Sequence, residues 1–180
     1  MTRTRLRHAP RAVSIIVAFM LLTAISGVTA GCGGNQTVNL IVQIITILIT
    51  RSAGGIVHNS VATLTIPPDA LAADTTISLQ PASSLPAADA GLAAVKGTAE
   101  TFTPATTQFS TPSTLSIQYD PANLPQFASQ SSVALYYVSN GTYNLVPLSV
   151  VNVTTHTVTA PVNNLGTYLL MANVPVQDPP

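Results

Sequence analysis

Beyond residue 54, apolar and polar positions alternate in short runs. Ala62, Leu64 and Ile66 are separated by Thr63 and Thr65, and Ile77 and Leu79 alternate with Thr76, Ser78 and Gln80. Leu115, Ile117 and Tyr119 repeat the pattern, as do Val133, Leu135 and Tyr137, then Val158 with Ala160 and Tyr168 with Leu170. Side chains two apart share one face of a strand, so each run has an inward and an outward row. Turn residues fall between the runs: Pro67-Pro68-Asp69, then Pro81, Pro86 and Gly91, then Pro104, Pro112, Pro121 and Pro125. Asn140-Gly141 lies between Tyr137-Val138 and Tyr143, a hairpin signal because both residues tolerate positive φ. Residues 82–95 read as a loop or a short helical turn. Many short strands with regular turns predict an all-β fold, an antiparallel β-sandwich over 54–174, followed by a Pro-rich tail at 175–180.

Residues 37–50 carry a different pattern. Asn39, Gln43, Thr46 and Thr50 are spaced four, three and four apart, and Val38, Ile41, Val42, Ile45, Leu48 and Ile49 occupy the remaining faces. That spacing predicts a short helix over 37–50, within a tether spanning 32–53. The β-branched content argues against it. Fourteen residues rise about 21 Å as a helix, too little to cross a bilayer. Two roles stay open for this segment: packing on the sandwich, or contact with a membrane or self-association with another copy.

The first thirty-one residues read as an address. Arg3, Arg5, Arg7 and Arg11 precede a charge-free, largely apolar run at 12–30, and small residues then lead to Cys32. This is the layout of a secretory signal peptide over 1–31; an uncleaved membrane anchor is the alternative. Thr29-Ala30-Gly31-Cys32 resembles a bacterial lipobox, with cleavage between Gly31 and Cys32 and acylation of Cys32. Thr29 departs from the aliphatic residue usual at its place. The chain has one cysteine, so an internal disulfide is impossible, and acylation explains the residue. Several acyl chains satisfy the requirement that stable anchoring take more than one. The expectation is a protein of the bacterial cell envelope, tied to the membrane by its N-terminus and facing the periplasm or the exterior.

A family resemblance sharpens the picture. Gly54-Gly55, Leu64-Thr65-Ile66-Pro67-Pro68, Ala70-Leu71 and Thr75-Thr76-Ile77-Ser78-Leu79 are similar to the zonula-occludens/netrin-receptor (ZU-five) type domain. The likeness continues through Phe102-Thr103-Pro104, Phe109 to Pro112, Ser116 to Asp120 and Val133 to Tyr137 and covers about residues 54–172; the chain resembles the bacterial, extracytoplasmic branch. Asp69 stands where that family has glycine. The resemblance implies a β-sandwich for interaction or scaffolding. Some relatives cut their own backbone at a His-Phe-Ser-like site. The matching Asn164-Leu165-Gly166 has neither nucleophile nor base, so no cleavage is expected here.

Charge and chemistry narrow the function further. Only 7% of the chain is charged. Past the first eleven residues, Arg51 and Lys96 face six acids, a net −4. A chain without a basic patch is not expected to bind nucleic acid. His58 and His156 are the histidines outside the leader, with no nucleophile motif, no metal-ligand spacing and no phosphate loop near them. Neither catalytic residues nor cofactor or metal ligands are expected. The expected role is a structural or protein-interaction one. The competing reading is a carbohydrate-binding or adhesive domain, for which an exposed Tyr136 with Tyr143 across the hairpin would form a ligand platform. The same pair also reads as a cross-strand contact that stabilises the hairpin.

Overall fold

The alternating runs become paired strands with one buried row each. In the computed structural model, which describes residues 43–175, Ala62, Leu64 and Ile66 are all buried on β3 (Ala62–Ile66), with Thr63 and Thr65 on the other side. The remaining strands are β1 (Ile45–Ile49), β2 (Gly55–His58), β4 (Thr75–Pro81), β5 (Leu92–Ala94), β6 (Glu100–Thr103) and β7 (Gln108–Gln118). They continue with β8 (Ala134–Ser139), β9 (Thr142–Leu145), β10 (Val150–Asn152), β11 (Thr157–Asn164) and β12 (Thr167–Asn173). Two short 3₁₀ turns, Pro121–Asn123 and Gln130–Ser132, are the helical elements among the described residues.

All pairings are antiparallel. One sheet has seven strands in the order β1-β4-β6-β12-β8-β9, with β5 also on β12; the other has five, ordered β10-β11-β7-β3-β2. The chain is therefore an all-β sandwich. The core between the sheets holds Leu64, Ile77, Leu79, Phe102, Leu115, Ile117, Leu135 and Leu170, each essentially free of solvent. Burying one such side chain contributes about 1.5–3 kcal/mol. Sequence proximity and pairing part company at β12: the last strand lies inside its sheet, against β5, β6 and β8.

The helix expected over 37–50 is not formed where the structure describes it. Residues 45–49 are strand β1, in register with β4 from Ile45↔Leu79 to Ile49↔Thr75. The physical reason is the period-two set Ile45, Ile47 and Ile49, which turns toward the core while Thr46 and Leu48 face out. β-branched residues suit that pleat better than a helix. Thr46 and Ser78 add a hydroxyl contact at 3.0 Å across the pair. The sandwich thus includes β1 and begins before residue 54. Residues 37–42, the leader with Gly31 and Cys32, and 176–180 lie outside the described residues. Within 43–175 no helix is long and apolar enough to cross a membrane.

The Gly-Gly pair at the head of β2 has two separate jobs. Gly54, at φ 64°, lies against the Ile66 carbonyl and the Pro67–Pro68 backbone, where a β-carbon has no room. Gly55 leaves space for the Ile49 side chain, whose Cδ1 would be 2.8 Å from a β-carbon there. The Pro-Pro turn closes on the same spot. Asp69 takes φ 59°, its N–H donates to the Arg51 carbonyl at 2.8 Å, and its own carbonyl accepts from the Ser110 hydroxyl at 2.8 Å.

The Asn140-Gly141 hairpin forms as expected, with φ 51° and 75° at the two turn residues. The 82–95 stretch is a loop that ends in strand β5. Between β5 and β6 the ladder on β12 is interrupted, and the buried Thr98 fills the gap. Its hydroxyl accepts from Leu170 N at 3.1 Å and donates to the Val95 carbonyl at 2.8 Å, so β12 keeps its hydrogen bond without a strand residue there.

Candidate functional site

Four loop segments meet at one end of the sandwich. The β2–β3 turn is shaped by Asn59, whose Oδ1 accepts from Val61 N at 2.8 Å and Ala62 N at 2.7 Å. The end of β7 is tied to that turn by Gln118 N donating to the Val61 carbonyl at 2.8 Å. The next residue, Tyr119, donates its N–H to the His156 carbonyl at 2.9 Å. Asp120 then caps the Pro121–Asn123 turn, accepting from Ala122 N at 2.9 Å, as the Asp-Pro spacing leads one to expect. The 95–98 loop closes the ring through Lys96 N to the Asn123 carbonyl, 3.4 Å.

These segments border an open groove of about 470 Å³, with Ser60, Lys96, Thr98, Asp120, Asn123 and His156 on its walls. Lys96 is the chain's one lysine. The His156 backbone is left-handed, φ 53°, at the β10–β11 turn, and its ring meets Tyr119 edge-on at 5.7 Å. Tyr119 is buried below, with its hydroxyl directed to Gln130 Oε1 at 3.3 Å; burial pushes that phenol up from its ordinary pKa. In a chain this poor in charge, a cation, an imidazole and a carboxylate on one rim are a concentration of chemistry.

Glu100 is the first residue of β6, two beyond the 95–98 loop. It faces inward with Phe102 on the same side of β6, and only 2% of it is exposed. Its Oε2 has no hydrogen-bond partner among the described residues. Burial raises the carboxyl pKa above 4.5, and the Asn59 side chain, hydrogen-bonding to it, offsets this in part.

The groove is lined by a histidine, a carboxylate and a serine, the residue types of nucleophilic catalysis. Their hydrogen bonds run elsewhere. Asp120 serves its 3₁₀ turn, and no Ser60–His156 or His156–Asp120 bond is formed among the described residues. His58 lies on the edge strand β2 and takes no part. No group of three or more His, Cys, Asp or Glu stands together among the described residues to hold a metal ion.

The opposite end of the sandwich carries a second crevice of about 430 Å³, with Thr106, Gln108, Phe109, Tyr137 and Asn164 on its walls. Here Gly166, at φ 152°, leaves the room that the Tyr137 ring edge fills, 2.5 Å from where a β-carbon would stand. Tyr137 packs on Tyr168 with ring centres 5.0 Å apart. The Tyr168 hydroxyl donates to the Asn164 carbonyl at 2.8 Å, and burial together with the neighbouring Tyr137 raises its pKa far above the ordinary phenol range. At Asn164-Leu165-Gly166, Leu165 is fully buried and the amide of Asn164 donates to its carbonyl at 2.9 Å.

Tyr136 and Tyr143 do share a face. Tyr136 stands opposite Leu145 and Tyr143 opposite Val138, which makes the two tyrosines diagonal neighbours on the outer side of β8–β9. Both are half-buried rather than open, and the Tyr143 hydroxyl is spent on the Pro86 carbonyl at 2.6 Å. Leu169 pairs with Tyr136 on that same face and, like Met171, is fully buried although it points away from the inter-sheet core. The 82–91 loop is thus drawn across this side of the sheet. The end groove, by contrast, escaped the sequence reading. Its walls come from positions spread between 60 and 156, and the one signal was the solitary Lys96 followed by Gly97.

No protein-family model matches this chain, and no curated protein matches it.

Proposed function

We propose that the chain is a non-catalytic interaction module of a bacterial cell envelope, held at the membrane by acylation of Cys32 and directed toward a protein partner. The observation that carries the interaction role is the end groove, where Lys96, Asp120 and His156 are presented by loops on a rigid sandwich. Loops on a rigid frame are the usual place for binding residues. The likeness to the ZU-five domain is supported by two backbone details. Gly54 is packed where no side chain fits, against the Pro67–Pro68 turn, and Asp69 holds the left-handed φ suited to the glycine that family has there. A second reading, glycan binding, is favoured by the hydroxyl and amide groups of Ser60, Thr98, Gln118 and Asn123 along the same groove.

One set of measurements tests the proposal. Intact mass of the protein from its native membrane is expected to give a chain beginning at an acylated Cys32, uncut near Gly166; an intact Met1 refutes the anchor. A photo-crosslinker placed at Gly97, where a side chain meets nothing within 4 Å, is expected to trap a defined protein in intact cells, and Lys96→Ala with Asp120→Ala to abolish the adduct. Retention on immobilised envelope polysaccharide, lost in the same variants, selects the glycan reading instead. Hydrolytic turnover that disappears with His156→Ala overturns the non-catalytic role.

A further inference from the structure

Five strands of this sandwich have an unpaired side among the described residues, and they are not equally guarded; β5, paired with β12 alone, has only three residues. β2, β9 and β10 have four, four and three residues, and short edges offer little to pair with. β1 is the longest, five residues, and its sequence Ile-Thr-Ile-Leu-Ile has no charge, proline or glycine. It pairs with β4 on one side and with nothing on the other among the described residues. Ile44 and Leu48 beside that edge are 58% and 60% exposed. Among the described residues this edge carries no charge, proline or bulge to discourage edge-to-edge pairing.

We infer that β1 is a self-association edge, and that its occupant is β1 of a second copy, antiparallel and centred on Ile47. The strand is complementary to itself in that register. Ile47 meets its own counterpart, Ile45 meets Ile49, and Thr46 meets Leu48, so inward rows join inward rows and the two seven-stranded sheets become continuous. A twofold pair of this kind is closed and uses the same patch on both copies. Every slip to another register shortens the five-residue overlap.

The chain upstream argues for a second copy over an unrelated strand. Residues 33–50 contain no charged residue, so two copies approach without repulsion until Arg51. The ladder alone is small, well below the roughly 1,200 Å² of a stable interface, so pairing in solution is weak. In one respect the inference rests on the anchoring proposed above. The twelve residues between Cys32 and Ile45 extend at most about 40 Å, so acylated copies present β1 to one another at one height above the bilayer, where a weak contact is populated.

Disulfide trapping tests the register without unfolding the protein. In the full chain carrying Cys32→Ser, which removes the one native cysteine, Thr46→Cys and Leu48→Cys are made separately. Opposed residues lie within disulfide reach, whereas the diagonal 46–46 and 48–48 distances of about 7–8 Å exceed it. A mixture of the two variants is expected to give at least tenfold more crosslinked dimer than either alone. Equal yields, or none at millimolar concentration, overturn the inference. In a second arm, Thr46→Lys with Leu48→Lys places like charges opposite one another in the pair, and sedimentation is expected to show a folded chain whose self-association is weakened at least tenfold. Thr46→Lys with Leu48→Asp restores it. If the unsubstituted Cys32→Ser chain stays monomeric yet binds phospholipid vesicles through residues 46 and 48, the edge serves a bilayer and the inference fails. Acylation of Cys32, read separately by mass, distinguishes that failure from a failure of the anchor.

Discussion

The Tyr143 hydroxyl donates to the Pro86 carbonyl at 2.6 Å, fastening the β8–β9 hairpin to a loop fifty-seven residues earlier in the chain. This bond fixes the 82–91 connection on the outer side of the sheet, the side to which Leu169 and Met171 point. Tyr143→Phe keeps the ring and removes the bond. It is expected to cost about 1 kcal/mol by urea denaturation, with amide exchange in 82–91 rising before any other region. A ligand platform formed by Tyr136 and Tyr143 predicts instead an unchanged midpoint and lost binding.

Gly54→Ala is expected to be among the most damaging small substitutions. It combines left-handed φ with a clash on the backbone of Ile66, Pro67 and Pro68, neither of which a rotamer change relieves. A loss of about 3 kcal/mol is expected. Gly141→Ala is the control: φ is 75°, but nothing lies within 4 Å of the added carbon, so about 1 kcal/mol is expected. Thermal melts of the two variants separate the steric term from the conformational one.

At Asp69 the backbone is left-handed and the side chain is largely exposed, with an Arg51 contact of 3.6 Å that contributes little in water. Asp69→Gly is expected to change stability by no more than about 0.5 kcal/mol, and Asp69→Ala to lower it by about 1 kcal/mol. If glycine is as damaging as alanine, the Arg51 contact matters more than the backbone.

Glu100 predicts a pH dependence. Its folded pKa is raised above 4.5 because burial disfavours the charge. The folded state therefore holds the proton more tightly than the unfolded one. No stability is lost to this group below about pH 4.5, and the loss grows as pH rises from there to the raised folded value, then levels off. Glu100→Gln is expected to match the parent near pH 4 and to exceed it by about 1–2 kcal/mol at pH 8. Chemical denaturation at both pH values is the check; a variant less stable at pH 8 means that the carboxylate is paired and useful there.

Much of the sandwich is visible in the chain because alternation reports a two-faced surface directly. Leu64, Ile77, Leu115 and Leu135 were each placed inward by period alone. β1 misled for a reason that lies in one residue. Leu48 is apolar yet faces out, which breaks the alternation of Ile45, Ile47 and Ile49 and leaves Thr46 and Thr50 spaced as on a helix. The propensity of three isoleucines was the better guide. β5 was missed because three residues carry no readable period. The end groove was beyond reach for another reason. Lys96, Asp120 and His156 come to line one groove only after the two sheets have formed, and no local pattern records a juxtaposition across sixty residues.

The position of β12 has a consequence for the order in which this protein is made. β5, β6 and β8 all await Thr167–Asn173, and so does the Leu170 amide that Thr98 completes. A chain still under synthesis at residue 160 has the flanks of its larger sheet and no middle. The larger sheet closes only once Thr167–Asn173 has been released, so whatever meets the chain before then meets two separate flanks, β1-β4-β6 and β8-β9, with their inner edges unpaired.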